Sequence, residues 1–178
     1  MIKKIFKLGK SGFSMAEMLV TVLIFSILIG GIYASLAVGE ASWETNKVKI
    51  ELQQELRKAM EWMKFDLQQA GPTSITNVPA DDTWYTTITF KTPNGVSGGS
   101  INWEADTMQF VLGGTGSTQL QKVQAGTTTV LAQNIKTLNF RRSTTNSNIL
   151  EISMLAEKNT VKGDTINYQL DFEVQIRN

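Results

Sequence analysis

Neither cysteine nor histidine occurs in the chain. Without cysteine there are no disulfides, no zinc–thiolate sites and no thiol nucleophile. Without histidine, the commonest general base and the commonest transition-metal ligand are missing. Serine and threonine are abundant, but no histidine is present to activate one. Gly113-Gly114-Thr115-Gly116 lacks the Lys-Ser/Thr that a phosphate-binding loop requires, so it reads as a flexible tip. Asp81-Asp82 reads as a solvated turn rather than a metal site, Arg141-Arg142 as an exposed strand end, and the four tryptophans as core and interface packing rather than a ligand platform. No catalytic constellation is present, so the chain reads as a non-enzyme without cofactor or metal. Net charge is +1, and four lysines (Lys3, Lys4, Lys7, Lys10) stand in the first ten residues. The remainder is mildly acidic and gives no electrostatic reason to expect nucleic acid as a partner.

What is present is distributed unevenly. The 178 residues suffice for one domain with its own core plus one extended element. From Met18 to Gly39, 22 consecutive residues carry no formal charge. As a helix they extend about 33 Å, enough for a bilayer core of about 30 Å. The run is too long for an ordinary secretory signal, although Ala34-Ser35-Leu36-Ala37 resembles a weak cleavage site. Lysines precede the span and Glu40 and Glu44 follow it, which places the N-terminus in the cytoplasm and the C-terminal part outside. Glu17, at the head of the apolar run, is costly at that depth unless it finds a cation or lies near the headgroups.

The helical period continues past the span. Val48, Leu52, Leu56, Ala59, Met63, Leu67 and Ala70 recur at steps of three or four, and Met60 widens the stripe. Glu51, Glu55, Arg57, Lys58, Glu61 and Lys64 fall on wetter faces. Gly71-Pro72 supplies a stop, with Gly71 at C′. One helix from Phe13 to Ala70 would be about 87 Å long.

Strand signals follow. Trp84, Thr86, Ile88 and Phe90 alternate with polar neighbours, and Pro93-Asn94-Gly95 and Gly98-Gly99 mark turns. Ile101 to Leu112 holds two strands with a turn near Ala105-Asp106; Leu120–Val123 and Thr128–Leu131 form a hairpin about Ala125-Gly126. Period two holds for twelve residues from Ile166 to Arg177, so one face is buried. Leu150, Ile152 and Met154 pair with that strand across the turn at Lys162-Gly163-Asp164. The fold class is α+β: a long N-terminal helix packed on a C-terminal antiparallel β-sheet domain.

The segment Lys10-Ser11-Gly12-Phe13-Ser14-Met15-Ala16-Glu17-Met18-Leu19-Val20 resembles the prepilin processing motif of type IV pilins and type II secretion pseudopilins. The basic leader, Gly12, Phe13 and Glu17 match it; Ser14, Met15 and Ala16 replace the usual Thr-Leu-Ile. The resemblance implies cutting by a prepilin peptidase between Gly12 and Phe13, N-methylation of Phe13, and a Glu17 carboxylate paired with a terminal amine, on a neighbouring subunit or within the chain. A buried pair of this kind sets register more than it adds stability. Asp66-Leu67-Gln68-Gln69-Ala70-Gly71 is similar to the helix end of PilW-type minor pilins and J-type minor pseudopilins. Four regions follow: a leader at 1–12, a transmembrane and assembly helix at 13–39, its amphipathic continuation at 40–71 and a β-rich domain at 72–178. The implied setting is the bacterial inner membrane, with the C-terminal domain periplasmic, then a pilus or pseudopilus. The implied partners are other subunits in a tip complex and an inner-membrane assembly platform. Gly30-Gly31 read as ordinary span composition or close packing; the middle of this helix can melt on assembly in related filaments, so the resemblance also allows a local hinge there. The rival from another class is a membrane-tethered adhesin with an uncleaved anchor; a tethered hydrolase would need an active-site cluster that the sequence does not contain.

Overall fold

In the computed structural model, which describes residues 12 and 14–176, Met15–Leu67 form one α-helix, α1. The leader residues 1–11, the expected N-terminus Phe13 and the strand-end residue Arg177 lie outside the described residues. The helix is unbroken across Gly30-Gly31. The chain divides into two compact units, Met1–Trp43 and Glu44–Asn178.

In the first unit the apolar run of α1 is long and apolar enough to cross a membrane, and none of it is buried. Its serine and threonine hydroxyls are satisfied within the helix. Thr21 donates to the Glu17 carbonyl, Ser26 to that of Val22 and Ser35 to that of Gly31, each four residues back. This is how polar side chains avoid unsatisfied donors in a medium without water.

The second unit contains the rest of α1 and nine strands. β1 (Ile88–Phe90), β4 (Met108–Gly113), β5 (Gln119–Gln124) and β6 (Thr127–Ala132) form one antiparallel sheet in the order β1-β4-β5-β6. β2 (Pro93–Ser97) and β3 (Ser100–Trp103) form a hairpin; β7 (Ile135–Arg142), β8 (Ile149–Asn159) and β9 (Thr165–Gln175) form a meander. The helical stripe Val48, Leu52, Leu56, Ala59, Met63, Leu67 is buried throughout, as the periodicity requires. It shares one core with Ala70, Ile88, Phe90, Phe110, Leu138, Phe140, Leu150, Ile152 and Met154. Phe90 and Phe110 meet with ring centroids 5.6 Å apart, a geometry aromatic pairs favour.

Acids of the helix tie its rim to the strands. Glu44 accepts from the Val161 amide and Glu55 from that of Gln133, while Glu51 pairs with Lys158. Asp66, itself buried, pairs with Lys122 at 2.7 Å.

Both hairpin turns expected at Ala125-Gly126 and Lys162-Gly163-Asp164 form. Ala125 and Gly126 have φ of 48° and 77°, the paired positive values of the two-residue turn that matches strand twist. The register places Leu150 opposite Val174, Ile152 opposite Phe172 and Met154 opposite Leu170.

Several expectations are corrected. The helix ends at Leu67, three residues early, and Gly71 has no positive φ. The last turn tightens instead, with Gln69 N–H on the Asp66 carbonyl and Ala70 N–H on that of Leu67. Ser74 then accepts from the Gly71 amide and donates to its carbonyl. Pro93-Asn94-Gly95 is not a turn but the bulged start of β2. Of the alternation from Trp84 to Phe90, only Ile88–Phe90 pairs as a strand, with β4. The Gly114 region closes into a 3₁₀ turn at Thr115–Ser117. No tryptophan lies in the core: Trp43, Trp62 and Trp84 are exposed and Trp103 is half-buried. In β9 only Val174 is buried, while Ile166, Tyr168, Leu170 and Phe172 are half-buried, because this strand is the edge of its sheet.

Arg141-Arg142 is not an exposed strand end. Arg142 shares the inward phase of β7 with Leu138 and Phe140 and is buried. Its guanidinium donates to the carbonyls of Ser147, Pro72 and Val78, and burial pushes its pKa below the usual arginine value. Arg141 points the other way, half-buried, paired with Glu151 and stacked over Trp84 at 4.7 Å.

Asp81 and Asp82 are exposed but not idle. Asp81 accepts the Tyr85 hydroxyl at 2.6 Å and the Thr83 amide at 2.9 Å; Asp82 accepts the hydroxyl and amide of Thr144. Hydrogen bonding from Tyr85, and then from the Thr83 amide, lowers the Asp81 pKa, and that from Thr144 lowers the Asp82 pKa. The same bond to Asp81 raises the Tyr85 phenol. Carboxyls that ionise more readily in the folded chain contribute stability above their ordinary value of 3.8 and lose it as pH falls below that. The phenol contributes below 10.0 and loses its share as pH rises through its folded value. Asp81→Asn with Asp82→Asn should therefore lower the unfolding midpoint at pH 7, with the difference from wild type shrinking as pH falls below 3.8. A difference that persists unchanged in acid would exclude the ionised tether.

Candidate processing and assembly site

Ser14 and Glu17 open α1 as a reciprocal pair. The Ser14 hydroxyl accepts from the Glu17 amide at 3.2 Å, and a Glu17 carboxylate oxygen accepts from the Ser14 amide at 2.8 Å. This is a capping box: Ser14 is the N-cap, Glu17 the third helical residue, and two otherwise orphan donors are satisfied. A carboxylate in the first turn also suits the helix dipole. The signal is present in the sequence as Ser-x-x-Glu just before an apolar run, but the sequence reading weighs Glu17 as an ion-pair partner or an interfacial residue and misses this bond.

The cap changes the account of Glu17. Its carboxylate oxygen is held by the chain's own backbone, one residue from Phe13, so the Ser14 amide is satisfied without any partner subunit. Ala16, Glu17, Val20 and Thr21 line a shallow depression on the same flank of the helix. Gly12 is exposed, and a Cβ added there would meet nothing within 4 Å among the described residues. Among the described residues nothing crowds a side chain at position 12. Phe13 lies outside the described residues, so its distance from Glu17 is not part of this geometry.

A capped helix start beside an accessible glycine, leading directly into an exposed apolar helix, is the arrangement a processing enzyme and a membrane both need. The family model for the prokaryotic N-terminal methylation motif matches residues 7–33. The chain is type IV pilin-like. The matched residues hold Gly12, Phe13, Ser14, Glu17 and Gly30-Gly31 of the pilin-like chain, and mark it as a precursor of the pilin and pseudopilin kind, processed by prepilin peptidase. Neither a curated protein nor a solved structure matches it.

The β-rich unit of the pilin-like chain holds no comparable constellation. Among the described residues no group of three or more acids, cysteines or histidines is placed to hold a metal. A groove of about 400 Å³ on this unit is lined by Trp84, Glu151, Ser153, Gln169, Asp171 and Glu173 among others.

Proposed function

We propose that this chain is a structural subunit, cut between Gly12 and Phe13, methylated on the Phe13 amine and assembled through α1 into a type IV pilus or type II secretion pseudopilus. Its place is among the minor subunits that start or cap the filament, with residues 1–12 as leader, 13–39 as the assembly helix and the β-rich domain beyond the inner membrane. The observation that carries this reading is the methylation motif running into a helix whose membrane-length apolar run is wholly uncovered. An apolar surface of that length needs lipid or other helices around it.

Intact mass of the protein purified from its membrane tests the reading. The expected product begins at Phe13 and carries one added methyl. A product that retains Met1 would instead favour a tethered adhesin with an uncleaved anchor.

The capping box makes the role of Glu17 separable. Glu17→Gln keeps an acceptor at the third helical position but removes the charge; Glu17→Val removes both. Both variants should still be processed. Both should enter filaments poorly if the charge pairs with a terminal amine, and the Gln variant should keep wild-type helicity. Normal incorporation of Glu17→Gln would show that capping, not charge, is why the carboxylate is there.

A further inference from the structure

The meander β7-β8-β9 has two edges, and the chain treats them differently. The β7 edge is covered: Ala80 bridges to Arg142, and Tyr85 exchanges backbone hydrogen bonds with Phe140. The β9 edge is bare. Among the described residues, no backbone–backbone hydrogen bond of residues 165–175 goes anywhere but to β8. Exposed edges are normally blunted by short length, bulges, proline or charged side chains, lysine above all. Of these β9 has only the acids Asp171 and Glu173: its eleven residues pair with β8 without a register shift and include no proline, glycine or lysine.

The charges along this edge are also incomplete. Arg141 of β7 lies opposite Glu151 of β8, which lies opposite Glu173 of β9. Across the sheet the row reads cation, acid, acid, and then stops. The neighbouring row reads Asn139, Ser153, Asp171. The Glu151 charge is matched by Arg141, but Asp171 and Glu173 have no cation among the described ion pairs. Asp171 is bonded only by the Gln169 amide. Like charges directly opposite in a sheet are unfavourable, and the next strand is where a cation would relieve Glu173. The groove containing Trp84, Asp171 and Glu173 lies on this face, with room for a long side chain. On the other face of β9, Tyr168, Leu170 and Phe172 remain half-uncovered.

We propose that the β9 edge receives an extended segment of a partner protein as a further strand of the sheet, with basic side chains two residues apart opposite Asp171 and Glu173 and apolar side chains beside Tyr168, Leu170 and Phe172. The main chain supplies affinity and the alternating side chains supply selection, the logic of strand addition to an open edge. The inference stands on the β-rich unit alone and does not depend on how the N-terminus is processed.

The test uses the full chain in zwitterionic nanodiscs. The probe is a labelled eleven-residue peptide with lysine at alternate positions and valine or threonine between. Binding should slow amide exchange within residues 165–175. It should weaken about ten-fold in the double variant Asp171→Lys with Glu173→Lys, the loss of two modest ion pairs. The same peptide N-methylated at every amide keeps the charges but loses the donors, and should not bind. Absence of binding, unchanged exchange in 165–175, or equal binding of the N-methylated peptide would overturn the proposal. Self-association of the chain through these same amides, with no uptake of peptide, would overturn it in favour of a second copy.

Discussion

Glutamate in place of Gly12 is expected to leave the leader attached in essentially all of the protein, read as an intact mass larger than that of the processed wild type. The substitution is informative because it costs the chain itself so little. Gly12 is exposed and a side chain there meets nothing among the described residues. An exposed substitution away from special features changes stability by less than about 0.5 kcal/mol. The consequence therefore falls on the enzyme, whose site must accept the residue before the cut. The capping box of Ser14 and Glu17 lies beyond Gly12, so α1 should begin where it does in the wild type. Equal helicity of the two proteins, with different masses, is the expected pair of results. A Gly12→Glu chain of wild-type mature mass would refute processing at this bond.

Arg142→Met is expected to cost about 3 kcal/mol of folding stability, measured by chemical denaturation of the full chain in detergent. Methionine restores much of the volume but none of the donors. Three carbonyls, from Pro72, Val78 and Ser147, then lose the guanidinium that holds them. They belong to two separate loops, so the damage should extend to both. Arg142→Lys keeps the charge but not the planar fork, and should recover only part of the loss. A loss below about 0.5 kcal/mol for the methionine variant would show that water replaces the guanidinium at no cost.

What could be read from the residues follows their periodicity. A charge-free run of bilayer length is a property of composition along the chain, and it needs no partner to be recognised. The stripe from Val48 to Leu67 is set by helical geometry, and every member of it is buried. The β8 and β9 alternation and the turns at Gly126 and Gly163 are local too, so their register could be anticipated. Glu17 was legible only in part: its spacing from Gly12 is a linear signal and so is its capping spacing from Ser14, but the second was overlooked.

The rest depended on which elements come together. Arg142 reads as a surface residue by type. It is buried because β7 lies under the segment around Ala80 and two loops offer carbonyls to it. The Pro93 segment reads as a turn by composition, yet it pairs with β3 because a bulge at Asn94 leaves Pro93 opposite Trp103 and Gly95 opposite Asn102. The tryptophans read as core by type, yet the stripe of α1 and the inward faces of the strands fill the interior without them. Sequence by itself determined the membrane-length helix, the processing signature and the phase of each long amphipathic element, because these arise between residues a few positions apart. Only the tertiary structure decided which strand is left unpaired and which charge lacks a counterion, because those properties belong to neighbours that are distant along the chain.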